Sequence, residues 1–130
     1  MNNKRLIYMD IQEDKTPGSI QIAKVNSESA NINGEIWAKS FFVSQSLGVH
    51  PWKTVDAQTI SLQDLKSLPI TDYELLLLGT GVSHKPLDMS ATQFLLDLGI
   101  AYEVMATMPA CRTFNVVSSE SRKTLLAVLF

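Results

Sequence analysis

The sequence predicts an α/β fold: a layered domain with a central mixed, partly parallel sheet, helices on one face and an N-terminal β-hairpin layer. Three observations carry this. Residues 75–78 are four consecutive leucines followed at once by Gly79-Thr80-Gly81, the pattern of a short strand buried on both faces that ends in a tight loop. Residues 101–107 make a second such strand and residues 90–98 between them read as a helix, so the unit is strand, helix, strand, a crossover that is almost always parallel and right-handed. Asn33-Gly34, flanked by Ile32 and Ile36, is a hairpin signal, because both residues tolerate the positive φ angles of a type I′ turn.

Taken in order, residues 1–18 hold one apolar patch at 6–11 and then Pro17-Gly18, which reads as an irregular arm. Residues 20–25 alternate in part and give a strand. After the hairpin, residues 35–43 read as one longer strand with apolar side chains on both faces, Trp37 and Phe41 opposite Ile36, Ala38 and Phe42. Residues 47–54 contain Gly48 and Pro51 and read as a loop that ends the hairpin layer. Ser61 and Asp64 have the spacing of a capping box, with Asp in place of the usual Glu, and Pro69 stops that short helix. Ser90 is the expected cap of the second helix, with Phe94, Leu95 and Leu98 inward and Gly99 as the left-handed residue past its end. Thr107 is the expected cap of the last helix, with Pro109 in its first turn, where a missing N–H costs nothing, and Ala110, Phe114 and Val117 toward the sheet. Residues 123–129 close the sheet as a third strand.

Composition narrows the function classes. At 130 residues the chain is expected to be one domain, able to bury on the order of two-thirds of its unfolded surface. Eleven basic residues against thirteen acidic ones include no Lys/Arg cluster to neutralise a row of phosphates, which argues against a nucleic-acid partner. The apolar runs fall far short of the roughly 20 residues that span a bilayer, so no membrane insertion is expected. Residues 6–9 are too short for a signal-peptide core. One cysteine makes no internal disulfide, which suits a reducing compartment, and a cytoplasmic location is expected.

Candidate chemistry concentrates in two loops, 79–86 and 107–112. Glycines after a strand cradle phosphates when backbone N–H groups are free, but a dinucleotide fingerprint needs a third glycine where His84 stands, and no Gly-Lys-Ser/Thr follows. Gly79, Thr80 and Gly81 therefore read first as a tight strand exit, with Ser83 and His84 as exposed loop residues and anion binding as the alternative. Cys111 sits in the first turn of the last helix beside Arg112, where free N–H groups and a positive charge favour a thiolate. A nucleophile also needs a base, and only His50 and His84 are available. The competing reading, a small buried residue at a helix start, is favoured because free cysteine is among the most buried side chains. Two histidines and one cysteine, widely spaced, do not fill a zinc site, and no cofactor is expected. Glu120 and Arg122, two apart, do not face each other on a helix. Trp37, Phe41, Phe42 and Trp52 read as core, with an exposed subset as a possible partner patch. Topology brings the two loops together at the C-terminal ends of the parallel strands, where open α/β sheets bind ligands.

A resemblance rests on Leu77-Leu78-Gly79-Thr80-Gly81, on Gly99-Ile100 with Glu103-Val104-Met105, on residues 110–116 (Ala-Cys-Arg-Thr-Phe-Asn-Val) and on Glu120 with Arg122. In this order the motifs resemble the small family of single-domain proteins that includes mitochondrial NADH dehydrogenase (complex I) assembly factor three and many uncharacterised bacterial proteins. The likeness is strongest from Glu74 onward. Met108-Pro109 and Ser118-Ser119 depart from it, the first standing where bacterial members more often show a small Gly-Ala pair. The resemblance implies an α/β fold without established enzymatic activity, a protein partner, and in the mitochondrial member a role in assembling a membrane complex. Import extensions of the mitochondrial relatives have no evident counterpart here, so a bacterial cytoplasm is expected.

Overall fold

The computed structural model describes residues 19–53, 59–118 and 122–130. The expected arm before Ser19 and the Glu120 position lie outside the described residues.

A sheet of five strands forms the centre. Its members are β4 (Phe41–Ser44), β5 (Gly48–Pro51), β6 (Leu75–Gly79), β7 (Ala101–Met105) and β8 (Thr124–Val128), in the spatial order β5-β4-β8-β6-β7. Strands β8, β6 and β7 run parallel, and β4 and β5 join antiparallel. β6 and β8 are buried along their whole length, which is why residues 75–78 carry no polar alternation. Period two still sorts them. Leu75, Leu77, Leu126, Val128, Phe41 and Val43 face one core, and Leu76, Leu78, Leu125, Ala127 and Leu129 face the other.

Helices α1 (Leu62–Lys66) and α2 (Met89–Leu98) cover the second core, contributing Leu65, Ala91 and Leu95 beside Trp52 and Ile70. Helix α3 (Thr107–Ser118) covers the first with Ala110, Cys111 and Phe114. There it shares the face with the hairpin layer, a three-stranded sheet of β1 (Ile22–Val25), β2 (Ala30–Ile32) and β3 (Glu35–Trp37). The expectation of helices on one face thus describes α1 and α2, while α3 joins the hairpin layer opposite. The Asn33-Gly34 turn has φ of 50° and 91°, both positive as a type I′ turn requires, and β2 and β3 pair antiparallel across it.

Four local expectations are corrected. Residues 35–43 are not one strand: β3 belongs to the small sheet and β4 to the large one. The chain changes sheets at residues 38–40, where the Ser40 carbonyl accepts from Trp52 N–H at 3.0 Å and its hydroxyl accepts from Phe130 N–H at 3.1 Å. Residues 48–51 are not loop but the edge strand β5, which tolerates Gly48 and Pro51 because its outer side needs no ladder. Asp88, not Ser90, caps α2, its carboxylate accepting from Ala91 N–H at 2.8 Å. Leu98 is 38% exposed rather than inward. The expected capping box of α1 is present, with Ser61 and Asp64 exchanging side-chain-to-backbone bonds, and Gly99 ends α2 at φ 71°.

Three side-chain amides fix the approach to β1. Asn115 on α3 accepts from Ile22 N–H at 2.9 Å and donates to Ile22 carbonyl at 2.8 Å, standing in for a strand partner. Gln45 does the same for Ile20, at 2.7 and 2.9 Å, and Asn33 accepts from Gln21 N–H at 2.9 Å.

Candidate functional site

The exits of β6, β7 and β8 meet at one end of the large sheet, and a set of short backbone bonds joins them. Thr80 N–H donates to Met105 carbonyl at 2.9 Å, Thr107 N–H to Gly81 carbonyl at 2.8 Å, and Leu129 N–H to Gly79 carbonyl at 2.9 Å. Thr107 ties the three exits with its side chain as well. Its buried hydroxyl donates to Leu129 carbonyl at 2.8 Å and accepts from Gly81 N–H at 2.9 Å. Its hydroxyl therefore links strands and does not cap α3, which corrects the expected role.

Gly79 is where the helix start closes on the strand. A Cβ there would stand 2.7 Å from Val128 Cγ1 and 2.9 Å from Thr107 Cα, closer than carbon atoms approach. Gly81 adopts φ of 99°, a conformation that L side chains rarely take. Thr80 is buried, and its hydroxyl shares its one hydrogen between the carbonyls of Ser83 at 2.8 Å and Met105 at 3.2 Å while accepting from Lys85 N–H at 3.0 Å. The N–H groups of Thr80 and Gly81, which would have to hold an anion, thus already have internal acceptors.

The remaining candidates separate. Ser83 and His84 are exposed on the loop. Cys111 is fully buried with Ala110 and Phe114, turned into the core and away from the loop, and burial pushes its thiol up to about 12 against a smaller lowering by Arg112. Arg112 points to solvent. His50 lies on the edge strand β5, stacked on Phe42 with ring centroids 5.6 Å apart.

Two hollows flank the meeting point. One of about 140 Å³ is lined by Ile60, Thr80, Lys85, Leu87, Asp88 and Leu129. Asp88 has its carboxyl held below the usual range by Ala91 N–H and then by the Ser90 hydroxyl. The other, of about 30 Å³, is lined by Gly81, Val82, Thr107, Met108 and Phe130. It has the volume of roughly one water. Leu129 borders both. No group of three or more His, Cys, Asp or Glu among the described residues is placed to hold a metal ion, and no described helix is long and apolar enough to cross a membrane. The part played by Thr107 was not visible in the sequence, since its partners lie far along the chain. Asp88 was, because Asp three residues before Ala91 matches a capping signal that the nearer Ser90 obscured.

Residues 22–129 match the family described as protein of unknown function (DUF498/DUF598). The chain belongs to that family. Among curated relatives of this DUF498/DUF598 chain, NADH dehydrogenase [ubiquinone] 1 alpha subcomplex assembly factor 3 of Danio rerio is 30% identical over 121 residues, covering 92% of this chain and 68% of the relative. The protein of the same name from Xenopus tropicalis is 36% identical over 81 residues, covering 62% of this chain and only 43% of the relative's length. Among solved structures, a Bordetella parapertussis protein superposes with a TM-score of 0.78 at 23% identity, over 86% of this chain and 96% of that one. A Bordetella pertussis protein described as an Mth938-like domain gives 0.76 at 20% identity, over 93% and 92%. The chain therefore shares the fold of these two structures, with the mixed five-stranded sheet described above.

Proposed function

We propose that this protein is a non-enzymatic assembly-accessory protein that binds a protein partner, a subunit of an NADH dehydrogenase complex on its way to assembly. The observation that carries the reading is the relationship to the Danio rerio assembly factor along 92% of this chain. The chemistry at the loop junction supports it. Thr80, Gly81 and Thr107 spend these polar groups internally, Thr80 on the Ser83 and Met105 carbonyls, Gly81 on the Thr107 hydroxyl and Thr107 on the Leu129 carbonyl, and the cysteine is buried with a raised pKa, the reverse of an activated nucleophile.

Deleting the gene in the native cell and resolving NADH dehydrogenase on native gels tests this. Partly assembled subcomplexes are expected to accumulate, and both the wild type and Cys111→Ala are expected to restore the full complex. Normal assembly in the deletion strain would contradict the accessory role, and a folded Cys111→Ala protein that fails to complement would contradict its non-enzymatic character.

The hollow of about 140 Å³ against Thr80, Lys85 and Asp88 supports the loop 79–86 part of a second reading, a small-molecule or anion site using loops 79–86 and 107–112. Phosphate or a nucleotide at millimolar concentration would then raise the melting temperature by mass action, and less so for Lys85→Ala. An unchanged melting temperature would leave both loops as structure.

A further inference from the structure

Strand β7 ends the large sheet, and the hydrogen bonds show which of its backbone groups are spent. Met105 carbonyl accepts from Thr80 N–H, so Met105 turns its polar groups toward β6. Since peptide groups alternate sides along a strand, Ala101 and Glu103 turn inward too, and the N–H and C=O of Tyr102 and Val104 point outward. Leu75 N–H bonding Lys123 carbonyl and Leu129 N–H bonding Gly79 carbonyl fit this alternation, because they give the odd residues of β6 to β8 and leave the even ones for β7. Among the described residues no strand or side chain meets the four outward groups.

The other edges are blunted. β5 ends in Pro51, β3 is three residues long, and the Asn115 amide occupies the Ile22 position of β1. Charge then selects what β7 accepts. If two copies paired antiparallel so that Tyr102 of each met Val104 of the other, Glu103 would face Glu103 in the close, non-hydrogen-bonded position, where like charges destabilise. Shifting the register by two residues puts Glu103 opposite Ala101 or Met105 and brings the end of the pairing to left-handed Gly99 or to α3 at Thr107.

We infer that β7 is a docking edge for an extended segment of another protein that places a lysine or arginine opposite Glu103 and hydrogen-bonds Tyr102 and Val104. Glu103 and Ala101 are exposed on the α3 side of the sheet, while Tyr102 and Val104 pack partly on the opposite core. An incoming strand therefore meets a charge on one face and an apolar ledge on the other. The inference rests on the assembly reading for its biological meaning, and names the surface through which the partner would be held.

The test uses the full chain and two synthetic nonapeptides of alternating Val and Thr, one with a central Lys and one with a central Glu. In an amide NMR titration the Lys peptide is expected to shift and slow the exchange of Tyr102 and Val104. It should bind roughly two- to thirtyfold more tightly than the Glu peptide, the range for swapping an attractive cross-strand pair for a repulsive one. Glu103→Lys should reverse the preference. Val104→Pro should abolish binding while keeping the sheet, because the N–H it removes points outward. Should Val104→Pro fail to fold, the Glu103→Lys reversal alone decides. Binding of neither peptide, indifference to Glu103→Lys, or shifts centred elsewhere would overturn the proposal, as would a wild-type dimer in sedimentation that Val104→Pro dissolves. An NADH dehydrogenase subunit held equally by wild type and Val104→Pro would overturn the docking edge and leave the assembly reading in place. Peptide binding at β7 with normal assembly in the deletion strain would do the opposite.

Discussion

At Gly79 a single missing methyl group lets α3 start against the exit of β6. Gly79→Ala would press a Cβ onto Val128 and the Thr107 backbone, and overpacking of this kind costs about 1–3 kcal/mol. Urea denaturation should show that loss, and an unchanged midpoint would mean that the junction is looser than described. Cys111 gives a second residue-level test through pH. Its folded thiol titrates near 12 and an ordinary one at 9.0, so the unfolded chain ionises first as pH rises. The stability due to the buried neutral thiol is fully present below 9.0 and is lost between 9.0 and about 12. Against Cys111→Ala, the wild type should weaken by roughly 1.4 kcal/mol per pH unit in that window. Parallel pH curves would contradict the burial, and so would rapid alkylation of the folded protein by iodoacetamide at neutral pH.

At the scale of elements, Asn115 joins α3 to β1 by a pair of bonds that no strand supplies. Asn115→Ala leaves the Ile22 N–H and carbonyl without those partners, a loss of roughly 1–3 kcal/mol. Amide exchange should quicken in residues 20–25 before it does in β6 or β8, and uniform protection would contradict the clamp. Elements whose reasons are local were legible beforehand. The leucine run, the Asn33-Gly34 turn, the Ser61 capping box and Gly99 each follow from the residues beside them. The break between β3 and β4 was not legible, because apolar residues continue on both sides of it and the pin at Ser40 comes from Trp52 and Phe130. β5 was missed because Gly48 and Pro51 signal a turn, and only its place at a sheet edge makes them tolerable. The convergence of loops 79–86 and 107–112 followed from parallel topology, whereas the use of their donors on Met105 and Thr107 depends on register that no single stretch of sequence displays.

For the whole molecule, β6 and β8 lie between two cores, so their side chains divide the protein into the α3 and hairpin side and the α1 and α2 side. Leu77 faces the first core and is fully buried. Leu77→Asp would bury an unpaired carboxylate there and should abolish folding. A soluble variant with unaltered melting would contradict the placement of β6.

The loop donors spent internally and the enclosed cysteine are compatible with the proposed binding of another chain. The most direct measurement is the sedimentation of the native protein in gentle extracts of its own cell, compared with extracts lacking NADH dehydrogenase subunits. On the assembly account the protein co-sediments with those subunits in the first extract and shifts to the position of the free chain in the second. Sedimentation as the free chain in both extracts would contradict it.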